Sequence, residues 1–317
     1  MAAKVLVDWL LDTDPALRWQ VERDIVGVPA AQWQATRARV ASEGFGARLL
    51  AEQDADGQWA GGAFFPHDAS PDEPGQPWTA TTWSLTALRE WGLDAAVLGD
   101  TAERLAVNSR WEYDDLPYWG GEVDVCINAK TLANGVWLGV DMADLADWFL
   151  DHQLGDGGWN CEWVEGSTVS SFHSTLNALR GLLWYERAVG GDERLAAARR
   201  RGEQYLLERR LMFRRSTGDT VAPWVTRFSY PSRWRFEVMR AGDYFREAAA
   251  YDQTGPDQRM QEAMDAVRAA RQPDGSWLQD LVDAGRVWFE VDVPEGERSP
   301  WVTMIGTRVL DWWDSER

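Results

Sequence analysis

Cysteine, lysine and histidine are nearly missing from these 317 residues, which contain two cysteines, three histidines and lysine only at positions 4 and 130. Cys126 and Cys161 are too few for a disulfide framework, and in a reducing compartment two such thiols are of more interest as free groups or metal ligands. Long apolar runs are also lacking, and none approaches the ~20 residues that a membrane span needs. Basic charge is scarce: 32 Lys and Arg stand against 51 Asp and Glu, a formal net charge of −19. Nucleic acid and anionic lipid are poor partners for such a surface, because binding either requires phosphates to be neutralised by Lys and Arg. The stretch from Met1 to Trp9 has a lysine and then an amphipathic pattern, without the continuous apolar core of a signal peptide, so a cytoplasmic location is expected. At 45% hydrophobic and 26% charged residues the chain is composed like a folded protein and not a disordered one. Its length suits one large domain, 1–317, with a sizeable core.

Tryptophan is what the chain has in excess, with 21 Trp against 7 Tyr and 10 Phe. That many indoles implies an architectural or cavity-lining task. Gln53 to Trp59, Gln153 to Trp159 and Gln272 to Trp277 repeat one pattern, a Gln followed by Asp, Gly and a Trp two residues after the Gly. Each copy follows a stretch of helical periodicity, at Gly46 to Glu52, Ala143 to His152 and Met260 to Arg271, and the Asp-Gly pair reads as a helix stop and turn. Second, apolar helices are expected at Trp78 to Leu88, Val123 to Val140, Ser170 to Trp184, Trp234 to Phe245 and Trp301 to Trp313. Degenerate copies lie near Trp111 to Gly121 and Arg201 to Trp224, and a further helix spans Leu17 to Val26. Phe64 to Gln76 and Phe289 to Ser299 read as rim loops. Polar outer helix, turn, loop and apolar inner helix form a unit that cannot bury its apolar face alone. Five to six such pairs predict an all-α protein, an α/α toroid with inner helices ringed by outer ones.

The Gln-to-Trp turn resembles the QW motif of squalene and oxidosqualene cyclases, a superfamily that shares its fold with protein prenyltransferase β subunits. The resemblance covers most of the chain and implies the toroid. In these turns the Trp packs and the Gln hydrogen-bonds to fasten neighbouring outer helices, a structural task that says little about activity.

Inner helices of such a ring begin at one rim. Asp124 and Cys126 open the second inner helix and His173 the third, so the three are expected to meet there as ligands of one zinc ion, with the fourth position open. This arrangement resembles the zinc site of farnesyl- and geranylgeranyltransferase β subunits. Cys161 is a candidate fourth ligand, which would close the site and make it structural. The metal-free alternative has Asp124 as a helix cap, Cys126 as a small buried residue and His173 as a satisfied polar group. The diphosphate clamp of the prenyltransferases is not carried over, since Tyr118, Gly121 and Ile127 occupy its positions, and nothing in one sequence indicates the α subunit those enzymes need. Compensating positive charge, and with it the candidate catalytic groups, is expected from Lys130, Arg233 and Arg235, with Arg227 beside them. Trp78, Trp83, Trp137, Trp234 and Trp301 are the expected cavity walls, suited to an apolar or cationic species. His67 reads as an exposed loop residue and His152 as an outer-helix end.

The leading expectation is therefore a zinc-dependent enzyme of the prenyltransferase or terpene cyclase-like kind, acting on an isoprenoid-like or other hydrophobic small molecule. A metal-free class II terpene cyclase relative is the second reading, although its Asp-x-Asp-Asp acid is missing and Asp114-Asp115 sits in a loop. A non-catalytic toroid that binds a small ligand or a protein partner is the third.

Overall fold

The structure, a computed structural model, describes residues 2–190 and 192–315. It is all-α. The helices are α1 (Ala2–Leu11), α2 (Pro15–Val21, continued by a π-helical turn at Glu22–Val26), α3 (Ala30–Ala38), α4 (Gly44–Leu50), α5 (Thr81–Glu90), α6 (Thr101–Asn108), α7 (Val125–Trp137), α8 (Ala143–Asp151), α9 (Phe172–Val189), α10 (Glu193–Leu207), α11 (Val238–Asp252), α12 (Gln261–Ala269) and α13 (Pro300–Ser315). Two two-residue strands, β1 (Trp277–Leu278) and β2 (Arg298–Ser299), pair antiparallel with Trp277 opposite Ser299. No helix among the described residues is long and apolar enough to cross a membrane.

All three Gln-to-Trp turns use the same hydrogen bonds. The indole N–H of each Trp donates to the carbonyl ten residues earlier, near the end of the preceding helix: Trp59 to Leu49 at 2.8 Å, Trp159 to Phe149 at 2.9 Å and Trp277 to Val267 at 2.9 Å. A carbonyl left open at a helix end is thereby satisfied by a fully buried ring. The Trp backbone N–H then donates to a threonine hydroxyl on the next inner helix, Thr81, Thr175 or Thr303. Gln53 and Gln153 reach sideways to Thr101 on α6 and Ala198 on α10, so they fasten neighbouring outer helices, whereas Gln272 bonds back to Ala270. Gly157 must be glycine on two grounds. Its φ is +97°, and a Cβ there would lie 2.9 Å from the Arg201 carbonyl.

α5 packs on α7, α7 on α9, α9 on α11, α11 on α13, and α13 returns to α2. The indole of Trp19 on α2 donates to Trp91 O at 2.8 Å, just past the end of α5, so this run of contacts comes back to where it began. α8, α10 and α12 lie against this set, α8 and α12 touching the helices that follow their turns, α9 and α13, and α10 packing on α9. α7 and α9 approach most tightly at Gly181, where a Cβ would meet the Ala129 carbonyl at 2.7 Å. That approach sets Lys130 and Arg180, each next in sequence to one of these residues, on adjoining helices.

Two of the expected helices start three or more residues later than their sequence pattern suggests, α5 at Thr81 and α11 at Val238. Trp78 lies before α5 because its N–H donates to Arg286 O across the rim. Trp234 lies before α11 because Glu237 caps that helix, accepting from Met239 N at 2.6 Å and Arg240 N at 2.7 Å.

Candidate functional site

A cavity of about 620 Å3 opens among α2, α5, α7, α9, α11 and α13 and the rim loop 279–293. Its size is that of a small-molecule site. Trp78 and Trp83 meet edge to face at 4.7 Å, Tyr230 stacks on Trp301 at 4.1 Å, and Trp91 lies beside Phe289. Of the expected wall residues, Trp78, Trp83 and Trp301 line this space. Trp137 does not: it ends α7, seven positions past Lys130, beyond the reach of the cavity. Trp234 does not either, because it turns away to meet the His173 ring edge-on at 5.2 Å.

The lining also holds nine basic and six acidic side chains, an inversion of the balance of the whole chain. Lys130 is buried, donates to Arg233 O at 3.0 Å and lies 5.1 Å over the Trp83 ring. Burial and then the neighbouring Arg240 bring its pKa down to about 7. Arg233 projects over Trp78 at 4.8 Å, and burial lowers its pKa to about 10. Arg235 departs from the expected role, since it pairs with Asp283 at 2.6 Å and is not part of the lining. Arg227 pairs with Glu295 at 3.1 Å. Arg89, Arg180, Arg240 and Glu90 also face the cavity, and the sequence reading missed them. Arg180 within Leu176 to Leu183, and Arg240 within Val238 to Phe245, carry the signal that could have found them: a charge on the buried face of an otherwise apolar helix.

At the start of α7, Asp124, Cys126 and Cys161 bring one ligand atom each within 4.8 Å of one another. Asp124 caps α7, its Oδ1 accepting from Cys126 N at 2.7 Å and Ile127 N at 3.3 Å. The Cys161 thiol donates to the same Oδ1 at 2.9 Å and lies 3.4 Å from Cys126 Sγ. Cys161 is held there by a 3.1 Å bond from its N–H to Ser174 Oγ. The Cys161 thiol is pushed far up from its usual range, first by its hydrogen bond to Cys126, then by burial and the Asp124 charge. A divalent cation would reverse that, and two sulfurs with one carboxylate suit zinc, for which tetrahedral sulfurs stand about 3.8 Å apart.

His173, expected as the third ligand, is not in this group. Its Nδ1 accepts from Phe236 N–H at 2.8 Å, which leaves the ring proton on Nε2 and no free lone pair for a metal. Burial, and then Arg240 and Arg235, lower its pKa to about 4, so the ring is neutral near pH 7. The third donor is Cys161, brought in by the loop after the Gly157 turn. The group also stands outside the cavity lining, separated from it by Asn177, whose Nδ2 lies 3.5 Å from Cys126 Sγ and whose Oδ1 accepts from Arg240 at 3.0 Å. His67 is exposed and bonds to Ala60 O at 3.1 Å, while His152 stacks on Trp148 at 4.0 Å.

Fold and site together define a helical protein with a ligand-sized, aromatic and cation-rich cavity and a thiol-carboxylate cluster beside it. No protein-family model and no curated protein matches the sequence.

Proposed function

We propose that the inner helices close as an α/α toroid, and that the protein is a zinc-containing enzyme of the prenyltransferase and terpene cyclase-like kind. It acts on a hydrophobic, isoprenoid-like molecule held in the central cavity. The cavity carries this reading: about 620 Å3 of space bounded by indoles is unfavourable to maintain unless an apolar guest removes those faces from water. Charged groups along the same wall favour an enzyme over a passive hydrocarbon store, since a purely apolar guest gives them nothing to pair with. Asp124, Cys126 and Cys161 would hold the metal, which supplies Lewis acidity when bound. Because Asn177 stands between, these residues also tie the start of α7 to the loop at 161–165. A metal-free cyclase is less well supported, because the sequence lacks the Asp-x-Asp-Asp acid of that class.

Elemental analysis of chelator-free protein tests the metal, with about one zinc per chain expected. Cys126→Ala and Cys161→Ala should each lose it and His173→Ala should keep it. Geranylgeraniol tests the cavity: it should quench tryptophan fluorescence and raise the melting temperature, less so in Trp83→Ala. Absence of zinc removes the metal from this reading, and absence of any response to the alcohol removes the substrate.

A further inference from the structure

Five cations converge on one side of the cavity: Arg89 on α5, Lys130 on α7, Arg180 on α9, Arg233 before α11 and Arg240 within it. Among the described residues Glu90 is the one carboxylate within ion-pair distance of any of them, 3.3 Å from Arg180 Nη2 and 4.0 Å from Arg89 Nη2. Three other acids of the lining are committed elsewhere, Asp283 to Arg235, Asp243 to Arg308 and Glu247 to Arg187. Asp292 is bonded to Ser299, and Glu290, an exposed residue, makes no ion pair with the five cations among the described residues. The guanidinium of Arg233 makes no hydrogen bond or ion pair among the described residues. Arg89, 7% exposed, leaves its Nη1 buried with no acceptor. Lys130 and Arg240 bond only to neutral oxygens, of Arg233, Arg235 and Asn177.

A chain with 51 acidic residues has ample means to neutralise these cations and does not. Three of them instead lie over indoles, Lys130 over Trp83, Arg233 over Trp78 and Arg89 over Trp184, contacts that fix a cation in place and leave its charge intact. Buried positive charge left unpaired is costly unless an anion completes it. A single carboxylate cannot engage donors arriving from four helices and a loop, whereas an oxyanion with two or more charges can accept from several guanidinium forks together.

We propose that the molecule bound in this cavity has a multivalent oxyanion head seated among Arg89, Lys130, Arg180, Arg233 and Arg240. Its apolar part then lies toward Trp91, Phe289 and Trp301. This rests on the cavity being a ligand site and moves the head away from the thiol-carboxylate cluster.

Calorimetric titration of the full chain with four compounds sharing one tail tests it: octyl phosphate, octylmalonate, octanoate and octanol. Both dianions should bind about tenfold or more tighter than octanoate, and octanol weakest. Arg233→Gln and Arg180→Gln should each weaken the dianions about tenfold and leave octanol unchanged, with Arg233→Lys recovering part of the loss. A lead of octyl phosphate over octylmalonate identifies a phosphoryl head, and equal binding a dianion of either chemistry. A second readout needs no ligand: Arg233→Gln should raise the melting temperature of the free protein, because it removes an unpaired, half-buried charge. Equal affinity for all four heads, or a dianion preference unaltered in both variants, overturns the head and leaves the cavity. Failure of all four compounds to bind overturns both.

Discussion

At the scale of single residues, His173 shows how one hydrogen bond decides a chemical role. An amide N–H can only donate, so the Phe236 contact requires a lone pair on Nδ1 and a neutral ring. The folded-state pKa of about 4 lies below the ordinary 6.5 of the unfolded chain, which therefore takes up the proton first as the pH falls. The stability that His173 contributes is complete above pH 6.5 and is lost progressively toward pH 4. Urea unfolding from pH 8 to pH 4 should show this decline. His173→Phe should be less stable than the parent at pH 8, with Phe236 N–H left unpaired, and should have a flatter pH dependence across that window. An unchanged slope would mean that the ring does not titrate there.

At the scale of elements, the close approach of α7 and α9 sets Lys130 beside Arg180. Gly181 makes it possible, and two opposing effects can be weighed at this position. In a helix interior, Gly→Ala gains about 1 kcal/mol from propensity. Against that, a Cβ 2.7 Å from the Ala129 carbonyl must push backbone apart, and overpacking of this kind costs about 1–3 kcal/mol. Gly181→Ala is expected to lose about 1 kcal/mol net in chemical denaturation and, by separating the helices, to weaken binding in the cavity. Stabilisation would show that the helices can shift freely.

At the scale of the whole molecule, Arg308 on α13 holds the two ends of the chain together. It pairs with Asp243 on α11 at 2.5 Å and with Asp24, after α2, at 3.2 Å. Burial alone would raise the Asp243 carboxyl, but Arg308 and then Arg246 outweigh it and hold Asp243 well below the usual carboxylate range. Arg308→Met leaves that charge buried without its main partner and should cost about 3–5 kcal/mol. Arg268, 40% exposed and paired with Asp265 and Asp314, is the contrast. Arg268→Met should cost at most about 1 kcal/mol, because solvent screens the pair. Equal losses in urea unfolding would show that burial does not set the worth of these two ion pairs.

Periodicity and the three repeated turns are local signals, and they determined the helical class and the positions of most helices, while the fastening role of Gln53 and Gln153 came from the resemblance of those turns to the QW motif. They also placed Asp124 and Cys126 together at the head of α7 and named Trp78, Trp83, Trp301, Lys130 and Arg233, which face the cavity. Which charges go unpaired was decided only by the tertiary structure, because pairing depends on what lies across space: Arg235 finds Asp283 48 positions away, while Arg233, two residues earlier, has no acid within ion-pair distance among the described residues. The grouping of Cys161, and not His173, with Asp124 and Cys126 also comes from the tertiary structure, through the loop that carries Cys161 to Asp124 and the amide that occupies His173. Helix starts are set by what caps them, and the bonds that hold Trp78 and Trp234 outside their helices come from elsewhere in the chain or from the cap itself, which apolar spacing does not record.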